Sequence, residues 1–202
     1  NCKDQLHNVR NHGPHMQIDV NHENFPMVIL STQTTVGSWG EDAGNSTKLN
    51  QFLDWILANY NVDPNRVYLT GLSLGGGGTW DFAFRHGERL AAIVPICGFS
   101  GSASDANAAY LVNNKVAVWS AHAADDGTVQ VNMTYWWMTD IGHAYGITAA
   151  AGDPWSIKST VTLYIDPTNK KWLTTTGQTY KDASGMSISP AQFVTYYQTG
   201  GH

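Results

Sequence analysis

The chain has 202 residues, of which 42% are apolar, 11% aromatic and only 13% charged. This size and composition are typical of one globular domain with a full hydrophobic core, and they exclude collagen-like, solenoid and disordered chains. Eleven basic and 16 acidic side chains give a net charge of −5. The dense basic surface that nucleic-acid phosphates require is therefore absent from the sequence, and no nucleic-acid partner is expected.

The sequence carries no recognisable membrane segment. Its longest apolar run, from Leu90 to Cys97, is far shorter than the roughly 20 residues that cross a bilayer, so we expect no membrane partner. The chain begins at Asn1 rather than Met, and we expect that any targeting segment has been removed. Low charge with abundant Asn, Thr and Trp favours a secreted or periplasmic protein. The pairing of Cys2 with Cys97 is left open.

A strand and a helix are the first elements that the pattern predicts. The apolar run Phe25 to Ser31 is typical of a parallel strand buried on both faces. From Lys48 to Tyr60 the apolar residues follow a helical stripe, with Asn, Gln and Asp on the opposite face. Ser46 or Thr47 could cap the start of this helix, and Pro64 follows its end.

Apolar strands and helices alternate along the rest of the chain. Strands are predicted at residues 66–70, 91–96 and 116–120 and near 161 and 193, and helices after 78 and around 132–143. This order predicts an α/β fold, a mostly parallel sheet with helices on both faces and catalytic groups at the carboxyl ends of strands. We expect a single domain over residues 1–202, in which the less regular residues 144–192 form an insertion or lobe.

The motif with the most chemical content directly follows the strand at 66–70. It reads Gly71-Leu72-Ser73-Leu74-Gly75 and fits G-x-S-x-G at a strand-to-helix turn. The turn presents the Ser73 hydroxyl as a nucleophile, and a Cβ at Gly71 or Gly75 is expected to clash there. The amide of Leu74, at the start of the next helix, is the expected oxyanion donor. A phosphate-cradling glycine loop is the alternative, but it lacks the Lys that nucleotide loops carry.

A serine nucleophile needs a histidine base and a carboxylate that orients that histidine. Asp125 and Asp126 follow the strand at 116–120, where one of them is the expected acid; an Asp-Asp-Gly turn is the alternative. His202 follows the last predicted strand on a glycine-rich turn and is the predicted base. His143 is its rival, although its place at the end of a helical segment is typical of a surface or capping histidine.

No cofactor or metal ion is predicted. The sequence has no H-E-x-x-H motif, no pair of histidines at helical spacing beside a carboxylate, and no cysteine pair of the kind that binds zinc.

Two longer segments resemble a known family. They read NVDPNRVYLTGLSLGG at residues 61–76 and AAIVPICG at residues 91–98, and they closely resemble the α/β-hydrolase esterases. The most similar branch contains predicted peptidases, polyhydroxybutyrate-depolymerase-like enzymes, and feruloyl and acetylxylan esterases. His122, Asp126 and Val129 match that family's H-G-x-x-D-x-x-V pattern, which favours Asp126 as the acid.

The resemblance implies a serine esterase of the α/β-hydrolase fold that works through an acyl-enzyme. It implies a triad of Ser73, Asp126 and His202, with Trp39 as an aromatic wall of the substrate pocket, acting on feruloyl, acetyl, short-chain or polyester-type esters. The family also has an H-G-x-G-like oxyanion loop before the nucleophile and a helix after the catalytic histidine. Since neither is present, the chain is either a fragment truncated at both ends or a protein in which these elements are replaced. If it is complete, we expect a degraded or partner-completed oxyanion hole.

Two other functions remain open from the sequence. One is a peptidase of the same fold, which turnover of amides rather than esters would distinguish. The other is a carbohydrate- or partner-binding domain that retains the fold without activity. Labelling of the serine by a fluorophosphonate probe separates an enzyme from such a binding domain.

Overall fold

The computed structural model describes residues 2–35, 37–40, 42, 44–147, 161–166, 171–175 and 192–197, with side chains described between 5 and 147. Two 3-10 helices, Cys2–Arg10 and Gly87–Arg89, accompany five α-helices and six strands within this part of the chain. The α-helices are α1 (Gly13–Asn21), α2 (Asn45–Asn59), α3 (Leu74–His86), α4 (Asp105–Asn113) and α5 (Asn132–Ala144). The strands are β1 (Tyr68–Leu72), β2 (Ala92–Ile96), β3 (Ala117–Ala123), β4 (Val161–Asp166), β5 (Lys171–Thr175) and β6 (Gln192–Tyr197).

The six strands form one mixed sheet in the order β1-β2-β3-β6-β4-β5. Strands β1, β2, β3 and β6 are parallel neighbours, whereas β4 is antiparallel to both β6 and β5. The predicted strands at 66–70, 91–96, 116–120, 161 and 193 are all present. Within the stretch 144–192, predicted as an insertion, β4 and β5 extend this sheet, and residues 148–160, 167–170 and 176–191 lie outside the described residues.

One face of the sheet carries the core. Ile93 of β2 is in register with Leu69 on one side and Val118 on the other, so these three side chains share a face. They pack in one cluster with side chains of α2, α3, α4 and α5. At its centre the rings of Trp80 and Trp137 stack with centroids 4.6 Å apart.

The opposite face of the sheet is more open. Tyr68 and Leu72 of β1 and Trp119 of β3 all point to this face, because the ladder brings Tyr68 level with Ala117, two residues before Trp119. Their exposed fractions are 62%, 51% and 52%. Among the described residues, helices cover the core face of the sheet, as predicted. The second face keeps these exposed apolar side chains.

The predicted strand from Phe25 to Ser31 is wrong. These residues form irregular structure with no ladder to β1, whose neighbour among the described strands is β2. Met27 and Val28 are 60% and 54% exposed. An apolar run becomes a strand only where a neighbour takes up its backbone hydrogen bonds, and no described strand does so here.

The start of α2 also differs from the prediction. Gly44, in a left-handed conformation with φ 63°, occupies the N-cap position, so Ser46 and Thr47 lie inside the helix rather than capping it. Asn45 anchors this end, because its side-chain amide donates to Thr34 Oγ1 at 2.9 Å and to the Ser38 carbonyl at 2.6 Å.

None of the described helices is both long and apolar enough to pass through a bilayer.

Candidate active site

Ser73 occupies a strained turn between β1 and α3. Its backbone angles are φ 56° and ψ −113°, a region that non-glycine residues rarely adopt and that is concentrated at functional sites. Two backbone hydrogen bonds hold the turn: the Ser73 amide donates to the Ile96 carbonyl at 2.9 Å, and its carbonyl accepts from the Gly77 amide at 2.9 Å. The sharp strand-to-helix turn predicted for the G-x-S-x-G motif is present.

The glycines around Ser73 allow close backbone packing. A Cβ on Gly71 would overlap with the backbone of Gly75, and one on Gly77 would overlap with the Phe99 carbonyl. Gly76 lies equally close to the strand opposite, because its Cβ would be 2.5 Å from the Ile96 carbonyl oxygen. The expected clash at Gly75 is wrong, since a Cβ there would meet nothing within 4 Å. The glycine run is therefore a helix start pressed onto β2 and its following loop, rather than a phosphate-binding loop.

Leu74 is the first residue of α3. Amides in the first turn of a helix have no acceptor within the helix, and the helix dipole adds partial positive charge at that end. The backbone N–H of Leu74 therefore belongs to the first turn of α3, directly after Ser73 in the chain, and its role as an oxyanion donor stays a prediction.

Asp126 lies in the turn that follows β3, and its side chain is fully buried. Its Oδ1 accepts hydrogen bonds from the amides of Thr128 and Val129, both at 2.8 Å. Asp125, the neighbouring candidate, is exposed. Asp126 therefore stabilises the turn itself, as the alternative interpretation of the Asp-Asp-Gly segment predicted. The same hydrogen bonds fix the orientation of its carboxylate.

His122 is a buried neighbour of that carboxylate. Its Nε2 is 3.4 Å from Asp126 Oδ2 and 2.8 Å from the Val129 carbonyl oxygen. Its Nδ1 is 2.8 Å from Thr134 Oγ1. Because both ring nitrogens are engaged, His122 is unsuited to accept a proton from serine. In the sequence, His122 is distinguished only as part of the family motif, and no local signal predicts these contacts.

Cys97 directly follows β2 and interacts with both Ser73 and Asp126. It has a left-handed backbone with φ 38°, and its amide donates to the Ala121 carbonyl at 2.8 Å. Burial raises the pKa of its thiol above the ordinary value, the negative charge of Asp126 raises it further, and a backbone hydrogen bond with Ser73 opposes the shift. Cys97 is a free cysteine, and these interactions link it to both Ser73 and Asp126.

The predicted base, His202, lies outside the described residues. Strand β6 ends shortly before it, with Tyr197 in register with Ala123 at the end of β3. The rival, His143, is exposed at the end of α5, and its Nδ1 is 2.9 Å from Asp105 Oδ1. Together with Asp140, these two side chains form the one described group whose donor atoms, all within 4.8 Å, could hold a metal ion.

Trp39 is half-buried, and its side chain packs on the helix that Ser73 begins. A Cβ on Gly78 would be 2.5 Å from Trp39 Cβ and 2.7 Å from Cγ. The preceding residue, Ser38, is held by the side chain of Asn45. Trp39 thus packs against α3. Its role as a wall of the substrate pocket stays a prediction.

Over parts of its length, the chain is similar to two known enzymes. It is 29% identical over 96 residues, 47% of its length, to the bifunctional acetylxylan esterase/xylanase XynS20E of Neocallimastix patriciarum. It is 38% identical over 55 residues, 27% of its length, to poly(3-hydroxyalkanoate) depolymerase C of Paucimonas lemoignei. These matches span only 14% and 13% of the two relatives. No protein-family profile matches the chain.

A solved structure supports the same relationship. The acetyl xylan esterase from Aspergillus awamori superposes with a TM-score of 0.53 over 81% of this chain and 64% of that protein, at 16% sequence identity. Such low identity shows a shared fold rather than a shared substrate. The α/β-hydrolase fold is thereby confirmed, and so is the resemblance of the chain to esterases of that fold.

Proposed function

We propose that this α/β hydrolase cleaves carboxylic esters through an acyl-enzyme, with Ser73 as nucleophile, His202 as base and Asp126 as the acid that orients the base. The observation that carries the proposal is the conformation of Ser73. A non-glycine residue at φ 56° is costly, and such strain persists where a fold needs a side chain in one exposed position. Here it projects the hydroxyl from the end of a parallel strand, beside the N-terminus of α3.

The chemistry follows from this placement. The imidazole of His202 takes the hydroxyl proton as Ser73 Oγ bonds to the acyl carbon, and the Leu74 amide donates to the oxyanion that forms. The alcohol then leaves with the proton from the imidazolium, which gives the acyl-enzyme. Water, deprotonated by the same imidazole, attacks the acyl carbon. The bond from that carbon to Ser73 Oγ then breaks, the imidazolium returns its proton to Oγ, and the carboxylic acid is released.

Sheet topology supports the choice of Asp126 and His202. Strands β1, β2, β3 and β6 are parallel neighbours, so their carboxyl ends lie at one edge of the sheet. Ser73 follows β1, Asp126 follows β3, and His202 follows β6 in the sequence. Ser73 and Asp126 therefore belong to connections that leave one edge of the sheet, where ligands of open α/β sheets bind, and β6, which precedes His202 in the sequence, ends at that same edge.

The names of the relatives support a substrate class. An acetylxylan esterase and a poly(3-hydroxyalkanoate) depolymerase both act on carboxylic esters of polymers, and we propose that class for this chain, with secretion to the compartment where such polymers occur. The exposed side chains of Leu74 and Phe99, 48% and 60% accessible, lie beside the first turn of α3 and offer apolar contact to an acyl group. We propose Trp39 as a further wall of that pocket.

Covalent labelling tests the nucleophile directly. A fluorophosphonate probe is expected to label the wild type and the Ser102→Ala control but not Ser73→Ala, because only an activated hydroxyl displaces its leaving group. Turnover of p-nitrophenyl acetate should fall roughly 10⁴-fold or more in Ser73→Ala and His202→Ala. Equal labelling of Ser73→Ala and wild type would contradict the proposal, and faster turnover of amides than of esters would favour a peptidase.

A further inference from the structure

His122 makes contacts on two sides that fix its ring. The side chain is 1% exposed. Its Nε2 is 2.8 Å from the Val129 carbonyl oxygen, and its Nδ1 is 2.8 Å from the hydroxyl of Thr134 in α5. A carbonyl oxygen only accepts hydrogen bonds, so Nε2 must carry a hydrogen whether the ring is neutral or charged. This one side chain therefore joins β3, the turn after it, and the start of α5.

Val129 couples His122 to the proposed acid. The Val129 amide donates to Asp126 Oδ1 at 2.8 Å, and the Val129 carbonyl accepts from His122 at 2.8 Å. Asp126 therefore holds the Val129 amide, and His122 holds the Val129 carbonyl. The second carboxylate oxygen, Oδ2, lies 3.4 Å from His122 Nε2. A change in the His122 ring reaches both oxygens of Asp126, one through Val129 and one directly.

We infer that His122 is a positioning residue for Asp126: its Nε2–H holds the turn of residues 126–129 so that the carboxylate meets the catalytic base in the productive orientation. The inference rests on the proposed function. His122 itself takes no proton from substrate or serine, because both nitrogens are engaged and the ring is buried. It acts through Asp126, whose alignment decides how well the imidazole of the triad is oriented and how strongly its charged form is stabilised.

Two variants of His122 separate positioning from packing. In His122→Gln the amide nitrogen lies near the former Nε2 and can still donate to the Val129 carbonyl, whereas in His122→Asn the shorter amide lies near the former Nδ1. We expect kcat to fall roughly 10²-fold in His122→Asn, and Gln to restore most of that loss, with KM little changed in both. Thr134→Val, which removes only the bond to α5, is the matched control and should retain the wild-type pH profile.

The pH profile gives a readout that simple destabilisation leaves unchanged. A well-aligned carboxylate raises the pKa of the base, so the acid limb of kcat/KM in His122→Asn should move roughly one unit toward lower pH. It should stay in place in His122→Gln and Thr134→Val. An unmoved limb in His122→Asn, in protein that is folded by circular dichroism, would overturn the inference.

A measurement on the wild type covers the case in which His122→Asn fails to fold. Nitrogen-15 NMR of the histidine rings at pH 7 should show a hydrogen on Nε2 of His122, and a ring protonated only at Nδ1 would overturn the inference. Failure of the proposed function itself is recognised separately, since Ser73→Ala would then keep wild-type labelling and turnover. Loss of labelling in Ser73→Ala together with equal pH profiles in all His122 variants would reject only the positioning role.

Discussion

At the residue scale, the glycines near Ser73 lack the Cβ atoms that would prevent its tight strand-to-helix turn. Gly71 faces the backbone of Gly75 across the turn, and Gly76 and Gly77 face the backbone of residues 96–99. A side chain at any of the three would push α3 away from the sheet. The strained angles of Ser73 persist because these backbone contacts on both sides hold the turn closed.

Gly71 and Gly75 provide a matched pair for testing this packing. Gly71→Ala should lower the free energy of unfolding by about 3 kcal/mol, since its Cβ overlaps with backbone atoms that cannot rotate away. Gly75→Ala, whose Cβ enters open space, should be neutral or stabilise α3 by up to about 1 kcal/mol. Urea unfolding of the two variants measures the difference, and equal losses would show that the described turn geometry is wrong.

At the scale of elements, a partly buried carboxylate lies between α3 and the loop after β2. Asp81 Oδ1 accepts from the hydroxyls of Ser100 at 3.2 Å and Ser102 at 3.5 Å. Burial raises the pKa of Asp81, and the nearby charge of Asp42 adds to the shift, against the opposing effects of these hydroxyls and of Arg85. Folding therefore favours the protonated form of Asp81.

The sign of this shift predicts a pH-dependent effect of Asp81→Asn. A carboxyl whose pKa is raised by folding contributes stability below its ordinary value, near pH 4, and loses that contribution as the pH rises through the folded pKa. Asn stays neutral and still accepts from Ser100, so Asp81→Asn should raise Tm at pH 7 but not at pH 3.5. Asp54→Asn, which alters the ion pair of the exposed Asp54 of α2 with Arg89, is the control and should not raise Tm at pH 7. A Tm gain for Asp81→Asn that is independent of pH would contradict this account.

At the scale of the whole molecule, one face of the sheet carries exposed apolar side chains among the described residues. Parallel sheets ordinarily have both faces covered, yet Tyr68, Leu72 and Trp119 share a face and are each about half exposed or more. Apolar groups gathered on one surface promote association and bind apolar dyes.

A double variant tests whether this face is accessible in solution. Tyr68→Thr with Trp119→Thr preserves side chains suited to strands and should lower the fluorescence of bound anilinonaphthalene sulfonate by roughly half or more. Trp136→Gln, which removes a tryptophan of similar exposure from α5, should lower it far less. Equal decreases in the two variants would show that the dye does not prefer the sheet face.

Local pattern was sufficient for several elements of the fold. The helical stripe of α2 and the apolar strands β1, β2 and β3 were predicted because each carries its signal within a few residues. The helix α4 was missed. Ser104 caps its N-terminus by accepting from the Asn107 amide at 3.2 Å, and this serine is an N-cap signal that the sequence contains. Strand β5 was missed because its polar residues show no apolar run, and its place depends on pairing with β4.

The sequence by itself determined the strand-to-helix turn at Ser73, because G-x-S-x-G after an apolar strand restricts the backbone locally at Gly71 and Ser73. Tertiary structure alone decided which face of the sheet is buried, that the run from Phe25 to Ser31 is not a strand, and that His122 and Asp126 hold the same residue, Val129. The physical reason is that these outcomes depend on partners distant in the chain. Hydrogen bonds and burial between such partners are set only when the strands pair and the helices pack, whereas a tight turn is encoded by its own residues.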